Sequence, residues 1–146
     1  MEAKVSTTAE SRMAEGVSIG VRLKIAALWV AMLFLFAYGD IFGSFVPGHI
    51  DEIRGGTISG IEITQTFLLA ASVYVAIASL MIFLTLVLRP AVGRWTNIVL
   101  PILYIVSIVA SVIGETWVYF WFLSIAEGVL LLLIIWYAWR WPTLDR

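Results

Sequence analysis

Four stretches without a charge constrain this chain more than anything else in it. Residues 25–39 hold 15 uncharged positions between Lys24 and Asp40, residues 63–88 hold 26 between Glu62 and Arg89, and residues 95–114 hold 20 between Arg94 and Glu115. Residues 116–139 add 24, interrupted only by Glu127. About 20 apolar residues cross a bilayer's hydrocarbon core as a helix, so the last three runs are long enough as they stand. The first reaches that length by continuing past Asp40 to Gly43, or by letting its flanking Arg22 and Lys24 extend their charged ends to the interface. The runs predict transmembrane helices over residues 22–43, 61–88, 95–114 and 117–139. Barrel strands would alternate polar and apolar residues over about ten positions, and residues 67–71 and 130–136 do not alternate. The expected fold is an all-α, four-transmembrane-helix bundle.

Composition removes whole classes of function. Hydrophobic residues make up 62% of the 146 and charged ones 13%, where a soluble domain has about half and a quarter. A soluble enzyme and a nucleic-acid binder are excluded on that ground, and a net charge of −1 offers nothing to a polyanion. The absence of cysteine excludes disulfides, thiolate metal sites and covalent haem. A single histidine, His49, cannot supply a bis-histidine haem site, and with Asp51 and Glu52 it makes a poor metal site. The expectation is therefore no cofactor and no metal. The bilayer is the expected partner, with a homo-oligomer or another membrane protein left open and no nucleic acid.

Eight of the nine basic residues fall on one side of the predicted spans. Lys4, Arg12, Arg22 and Lys24 precede or open the first span, Arg89 and Arg94 lie between the second and third, and Arg140 and Arg146 follow the fourth; Arg54 stands alone opposite. The positive-inside rule makes the rich side cytoplasmic, so both termini are expected inside, with the chain integral to the cell's inner membrane. Residues 1–20 are small and polar, with too little apolar surface to fold, and read as a disordered cytoplasmic tail without the pattern of a signal peptide. Residues 21–141 form the transmembrane domain and residues 142–146 a short cytoplasmic tail. Tight connections make the second, third and fourth spans antiparallel neighbours. The one long connection, residues 44–60, has room for an interfacial turn over 49–54, and its Phe45, Val46 and Ile50 suggest a lid or an interfacial segment.

Glu127 is the sharpest single feature. It lies about ten residues inside the fourth span, or roughly 15 Å at 1.5 Å per residue, near the bilayer midplane. Ionisable groups at that depth are costly, face the bundle interior and are functional candidates by default. Counting away from the short turns puts Tyr104 level with Glu127, Ser107 level with Ser124, and Ser79 level with Tyr104. The intramembrane set is thus Glu127, Tyr104, Ser79, Ser107 and Ser124, with Tyr104 expected to hydrogen-bond Glu127. Ser124, Glu127, Gly128 and Leu131 share a face by helical spacing, as do Asn97, Pro101, Tyr104, Ser107 and Ser111. Small and polar residues so spaced are also ordinary packing between helices in lipid, so the serines alone demand no function. Pro101 frees the carbonyl of Asn97 and predicts a kink.

The side opposite the termini collects Asp40, Glu62, Gln65 and Tyr38, with Glu115 nearby. Gln65, Ser72 and Ser79 recur every seven residues and predict an inward stripe on the second span. An acidic mouth above a buried glutamate suits a cation pathway; a solvated rim explains the same residues without one. Gly39 and Gly43 form a lone GxxxG, weak evidence for helix pairing.

Several segments together resemble an uncharacterised family of small four-helix bacterial membrane proteins. They are Trp29 with Tyr38-Gly39-Asp40, Ile63-Thr64-Gln65-Thr66-Phe67-Leu68-Leu69, Arg94-Trp95-Thr96-Asn97-Ile98, and Ile134-Ile135-Trp136-Tyr137-Ala138-Trp139-Arg140. That family carries a glutamate in its fourth helix, matched here by Glu127. The likeness covers residues 22–141 and implies a fold alone, since the family has no assigned activity. A looser likeness to DoxX-like membrane proteins is one of fold alone.

Two functional classes follow. One is a structural or accessory membrane protein, or a binder of a small ligand. The other is a small proton-coupled transporter working through Glu127; the small multidrug-resistance transporters are similar in size and in having one embedded glutamate, but theirs lies in the first helix. An enzyme is the least supported class, with no cysteine, one histidine and no nucleotide motif.

Overall fold

The computed structural model describes residues 20–141. Four long helices, α1 (Val21–Gly43), α3 (Gln65–Val87), α4 (Pro90–Val112) and α5 (Val118–Trp139), are each long and apolar enough to cross a membrane. Between α1 and α3 lie a short helix α2 (His49–Arg54) and a two-stranded hairpin, β1 (Thr57–Ile58) and β2 (Ile61–Glu62). The start of α1, the α3–α4 turn and the end of α5 share one end of the bundle, here the terminal end; residues 44–64 and the α4–α5 turn form the loop end. The expected tails, residues 1–20 and 142–146, lie outside the described residues but for Gly20.

Local chemistry sets where each helix begins, and in two places this differs from the charge-bounded expectation. The second span starts at Gln65 rather than 61, because Thr64 caps α3, its hydroxyl accepting the Phe67 N–H at 3.1 Å. Residues 61–62 instead pair with 57–58 across Ser59 and Gly60, whose φ angles of 50° and 76° fit a type I′ turn. The third span starts at Pro90 rather than 95, since proline is preorganised for the first helical position. Arg94 therefore lies within α4, its guanidinium 5.6 Å from the Trp139 ring centre. The Glu115 carboxylate accepts the N–H groups of Thr116 and Trp117 at 2.7 and 2.9 Å and so fixes the turn that leads into α5. Gly114, at φ 87°, supplies the left-handed turn that reverses the chain there.

The helices pack as an open series, α3 beside α1, α1 beside α5, and α5 beside α4. Consecutive helices α3 and α4 touch only sparsely, which corrects the expectation that their tight turn makes them close neighbours. The glycines of α1 favour α5 instead. A Cβ on Gly39 would sit 3.6 Å from Leu123 and one on Gly43 3.5 Å from the Tyr119 hydroxyl, so the GxxxG lets α5 approach closely.

A buried hydrogen-bonded cluster knits the terminal half of the bundle together. Trp29, Asn97 and Thr85, all fully buried, join three helices: the Trp29 indole N–H donates to Asn97 Oδ1 at 2.7 Å, and Asn97 Nδ2 donates to Thr85 Oγ1 at 3.1 Å. Asn97 Nδ2 also donates to the Gly93 carbonyl at 2.8 Å, which fixes its rotamer. Below this cluster Trp141 is 5% exposed and closes the end. Its ring lies under the Arg22 guanidinium, which donates to the Leu86 carbonyl at 2.7 Å.

Candidate functional site

The loop half is not solid. A cleft of about 470 Å³ lies between the four long helices and reaches from Asp40 down to Glu127. Each helix contributes a face dictated by its own spacing. On α5, Ser124 and Glu127 are one turn apart and both buried, Glu127 with 5% exposure. On α4, Ser107 and Ser111 follow Tyr104 at helical intervals. On α3, Phe67, Ala71 and Tyr74 face inward, and on α1, Phe36 and Asp40 do.

The floor of the cleft is the thin seam between α3 and α4. Tyr74 Oη lies 2.6 Å from Ser107 Oγ, and the Tyr104 hydroxyl donates to the Tyr74 carbonyl at 2.5 Å. The Tyr74 and Tyr104 rings are 4.4 Å apart, centre to centre, and Trp29 meets Tyr104 edge-on at 5.7 Å. Among the described residues the Glu127 carboxyl has no hydrogen-bond partner. It presents its oxygens to the cleft rather than to a neighbouring helix.

The sequence-derived candidates divide. Glu127, Ser107, Ser124 and Asp40 line one cleft. Tyr104 is buried and level with it, but its hydroxyl is committed to Tyr74, so the expected Tyr104–Glu127 hydrogen bond is absent. Ser79 is corrected outright: it is exposed, and its hydroxyl donates to the carbonyl of Val75 at 3.0 Å. Ser72 does the same with Leu68 at 2.8 Å, and Gln65 is also exposed. The predicted polar stripe therefore faces outward, because a serine in a helix satisfies its own hydroxyl on the preceding turn and needs no interior partner. The inward stripe is Phe67, Tyr74 and Met81, at the same seven-residue interval two positions on. That spacing is the signal that would have found Tyr74.

The mouth is less convergent than expected. Tyr38 is 51% exposed and leans on Phe42, and Glu62 is exposed on β2. Phe45 and Ile50 are 76% and 46% exposed, and neither they nor Val46 line the cleft. His49 stays at the rim, Nδ1 3.9 Å from the Glu52 carboxylate. Among the described residues no group of three potential ligands is arranged to hold a metal.

The fold and cleft define an integral, multi-pass membrane protein with a partly hollow four-helix core. The chain belongs to a family of unknown function (DUF6326), whose family model matches residues 20–145. This carries the resemblance to an uncharacterised family and not the looser one to DoxX-like proteins. Neither a curated protein nor a solved structure matches the chain.

Proposed function

We infer that this protein binds a small ligand in the cleft that ends on Glu127, with the loop end facing out of the cell. The observation that carries this reading is the buried, unpartnered Glu127 carboxyl. A glutamate kept only to tie helices together would be hydrogen-bonded across an interface, because an unmet polar group in a low-dielectric interior costs about 1–3 kcal/mol on mutational scales. Here that tying is done by Tyr74, Ser107 and Tyr104 at the seam and by Trp29, Asn97 and Thr85 below it. Glu127 is left for something that enters the cleft.

The test uses two alanines at one depth on α3. Ala70 and Ala71 are both exposed, and only Ala71 lines the cleft. In the cysteine-free chain, Ala71→Cys should react with a hydrophilic, membrane-impermeant thiol reagent added outside the cell, and Ala70→Cys, facing lipid, should not. Equal silence from both positions would mean that no solute reaches the cleft.

A proton-coupled transporter is the second reading. It is favoured by the contrast between the closed terminal half and the hollow loop half, the asymmetry an outward-open carrier would have. Flux in proteoliposomes that follows a pH gradient, and vanishes in Glu127→Gln, would favour it over simple binding.

A further inference from the structure

The ligand-site reading leaves the occupant's chemistry open, and the cleft's own walls narrow it. We propose that the occupant is an organic monocation, an ammonium group carried on an apolar body, seated with its charge at Glu127; the proposal rests on the ligand-site reading above.

Charge comes first. Two carboxyl groups, Asp40 at the top and Glu127 at the bottom, line the cleft, and no lysine, arginine or histidine does. A buried carboxylate is tolerated when a positive charge pairs with it; among the described residues none lies beside Glu127, and His49 stays at the rim, near Asp40 and Gly43. An anionic occupant would meet two like charges and no counter-charge. A metal ion is equally ill served, because hard cations take six or more oxygen ligands and no cluster of three ligating side chains is present among the described residues.

The walls then select the kind of cation. Phe36, Phe67, Tyr74 and Phe120 line the same space, with the Phe36 and Tyr74 rings 6.0 Å apart. Aromatic faces attract alkylated ammonium groups through the ring quadrupole, and an apolar body gains by covering them. A fully hydrated inorganic ion gains neither. The cleft also has a side opening at the sparse α3–α4 seam, where Val75 is 48% exposed and Ser111 is exposed while both line it. An amphiphile can reach such an opening from within the bilayer, so the ammonium has two sources, a free amine or the headgroup of a lipid.

The experiment uses the full chain carrying Ala71→Cys, reconstituted in phosphatidylglycerol vesicles, whose headgroups have no ammonium. The readout is the rate of labelling by a neutral, hydrophilic methanethiosulfonate. Phenyltrimethylammonium is the probe; tert-butylbenzene, with carbon in place of nitrogen, and benzenesulfonate are the comparators. Phenyltrimethylammonium should slow labelling saturably, at concentrations about tenfold or more below either comparator, as expected of a desolvated charge pair. Glu127→Gln should abolish that protection, each variant being read against its own unprotected rate, and Glu127→Asp, which keeps the charge, should retain part of it. Exchanging phosphatidylglycerol for phosphatidylcholine, with no free cation added, separates the sources. Slower labelling there marks the lipid headgroup as occupant, and an unchanged rate marks the free amine. If Ala71→Cys never reacts, the ligand-site reading fails and takes this proposal with it. If it reacts but the neutral isostere protects as well as the cation, or Glu127→Gln leaves protection intact, the cleft stands and the cation is overturned.

Discussion

The hydroxyl of Tyr74 on α3 lies 2.6 Å from the hydroxyl of Ser107 on α4, and this contact bridges the one seam where two long helices barely meet. Together with the Tyr104 hydroxyl on the Tyr74 carbonyl, it ties α3 to α4 at one side of the cleft, and Tyr74 also forms part of the cleft wall. Tyr74→Phe keeps the ring and removes the bridge. It should cost about 1 kcal/mol, the net worth of an ordinary hydrogen bond, and should speed labelling of Ala71→Cys by loosening the seam. Denaturation in detergent and the labelling rate measure the two effects; a stability loss with unchanged labelling would show that the bridge does not govern access.

Asn97 should matter more for stability than any cleft residue. Asn97→Ala strands the Trp29 indole N–H and the Thr85 hydroxyl in a fully buried site. An unmet buried donor or acceptor costs about 1–3 kcal/mol, so the loss should exceed that of Ser107→Ala. Thermal unfolding of the two variants side by side decides the order.

Glu127→Leu should raise the melting temperature of the ligand-free protein. It exchanges a carboxyl that no described residue hydrogen-bonds, on a residue 5% exposed, for an apolar group of similar size, and so removes the cost of partly desolvating the acid. Such a gain, coupled with lost binding, is the usual mark of a residue kept for activity. A lower melting temperature would point to an integral packing role instead.

The close approaches of the glycines predict a graded series. Gly39→Ala leaves an ordinary 3.6 Å contact with Leu123 and should be nearly neutral, whereas Gly39→Leu overfills the α1–α5 interface and should cost about 1–3 kcal/mol. Gly93→Ala places its methyl 3.3 Å from the Trp141 ring, so it should be tolerated less well than Gly39→Ala. Melting temperatures in one detergent rank all three.

Orientation follows from the charge split. Five of the six basic residues within 20–141 lie at the terminal end, leaving Arg54 alone at the loop end. A reporter fused at the C-terminus should be active only as a cytoplasmic fusion, and one placed within residues 48–56 only as an external one. The reverse pattern would place the cleft toward the cytoplasm.

Long uncharged runs made the four spans legible, because hydrocarbon tolerates little else at that length. The shared face of Ser124 and Glu127 on α5, and that of Tyr104 and Ser107 on α4, are also readable, since both follow from counting along helices. Helix starts were less so: Thr64 and Pro90 act through capping geometry, which overrides the nearest charge. The rotation of α3 is not legible in the seven-residue recurrence of Gln65, Ser72 and Ser79, because the preceding turn satisfies both serine hydroxyls and leaves them free to face outward. The pairing of α1 with α5 was signalled only by Gly39 and Gly43, a motif that does not say which helix it fits.

That pairing bears on how the protein is made. Chains are synthesised from the N-terminus, and α5 emerges after the other three described spans. Until it does, α1 holds only α3, the glycine face of α1 has no partner, and α4 is joined to the rest by a sparse seam and the reach of Trp29 to Asn97. Assembly therefore waits on the final helix. A chain stopped after Val112 would carry three of its four spans and lack both of the broad interfaces that α5 makes with α1 and α4, leaving it a marked substrate for membrane quality control.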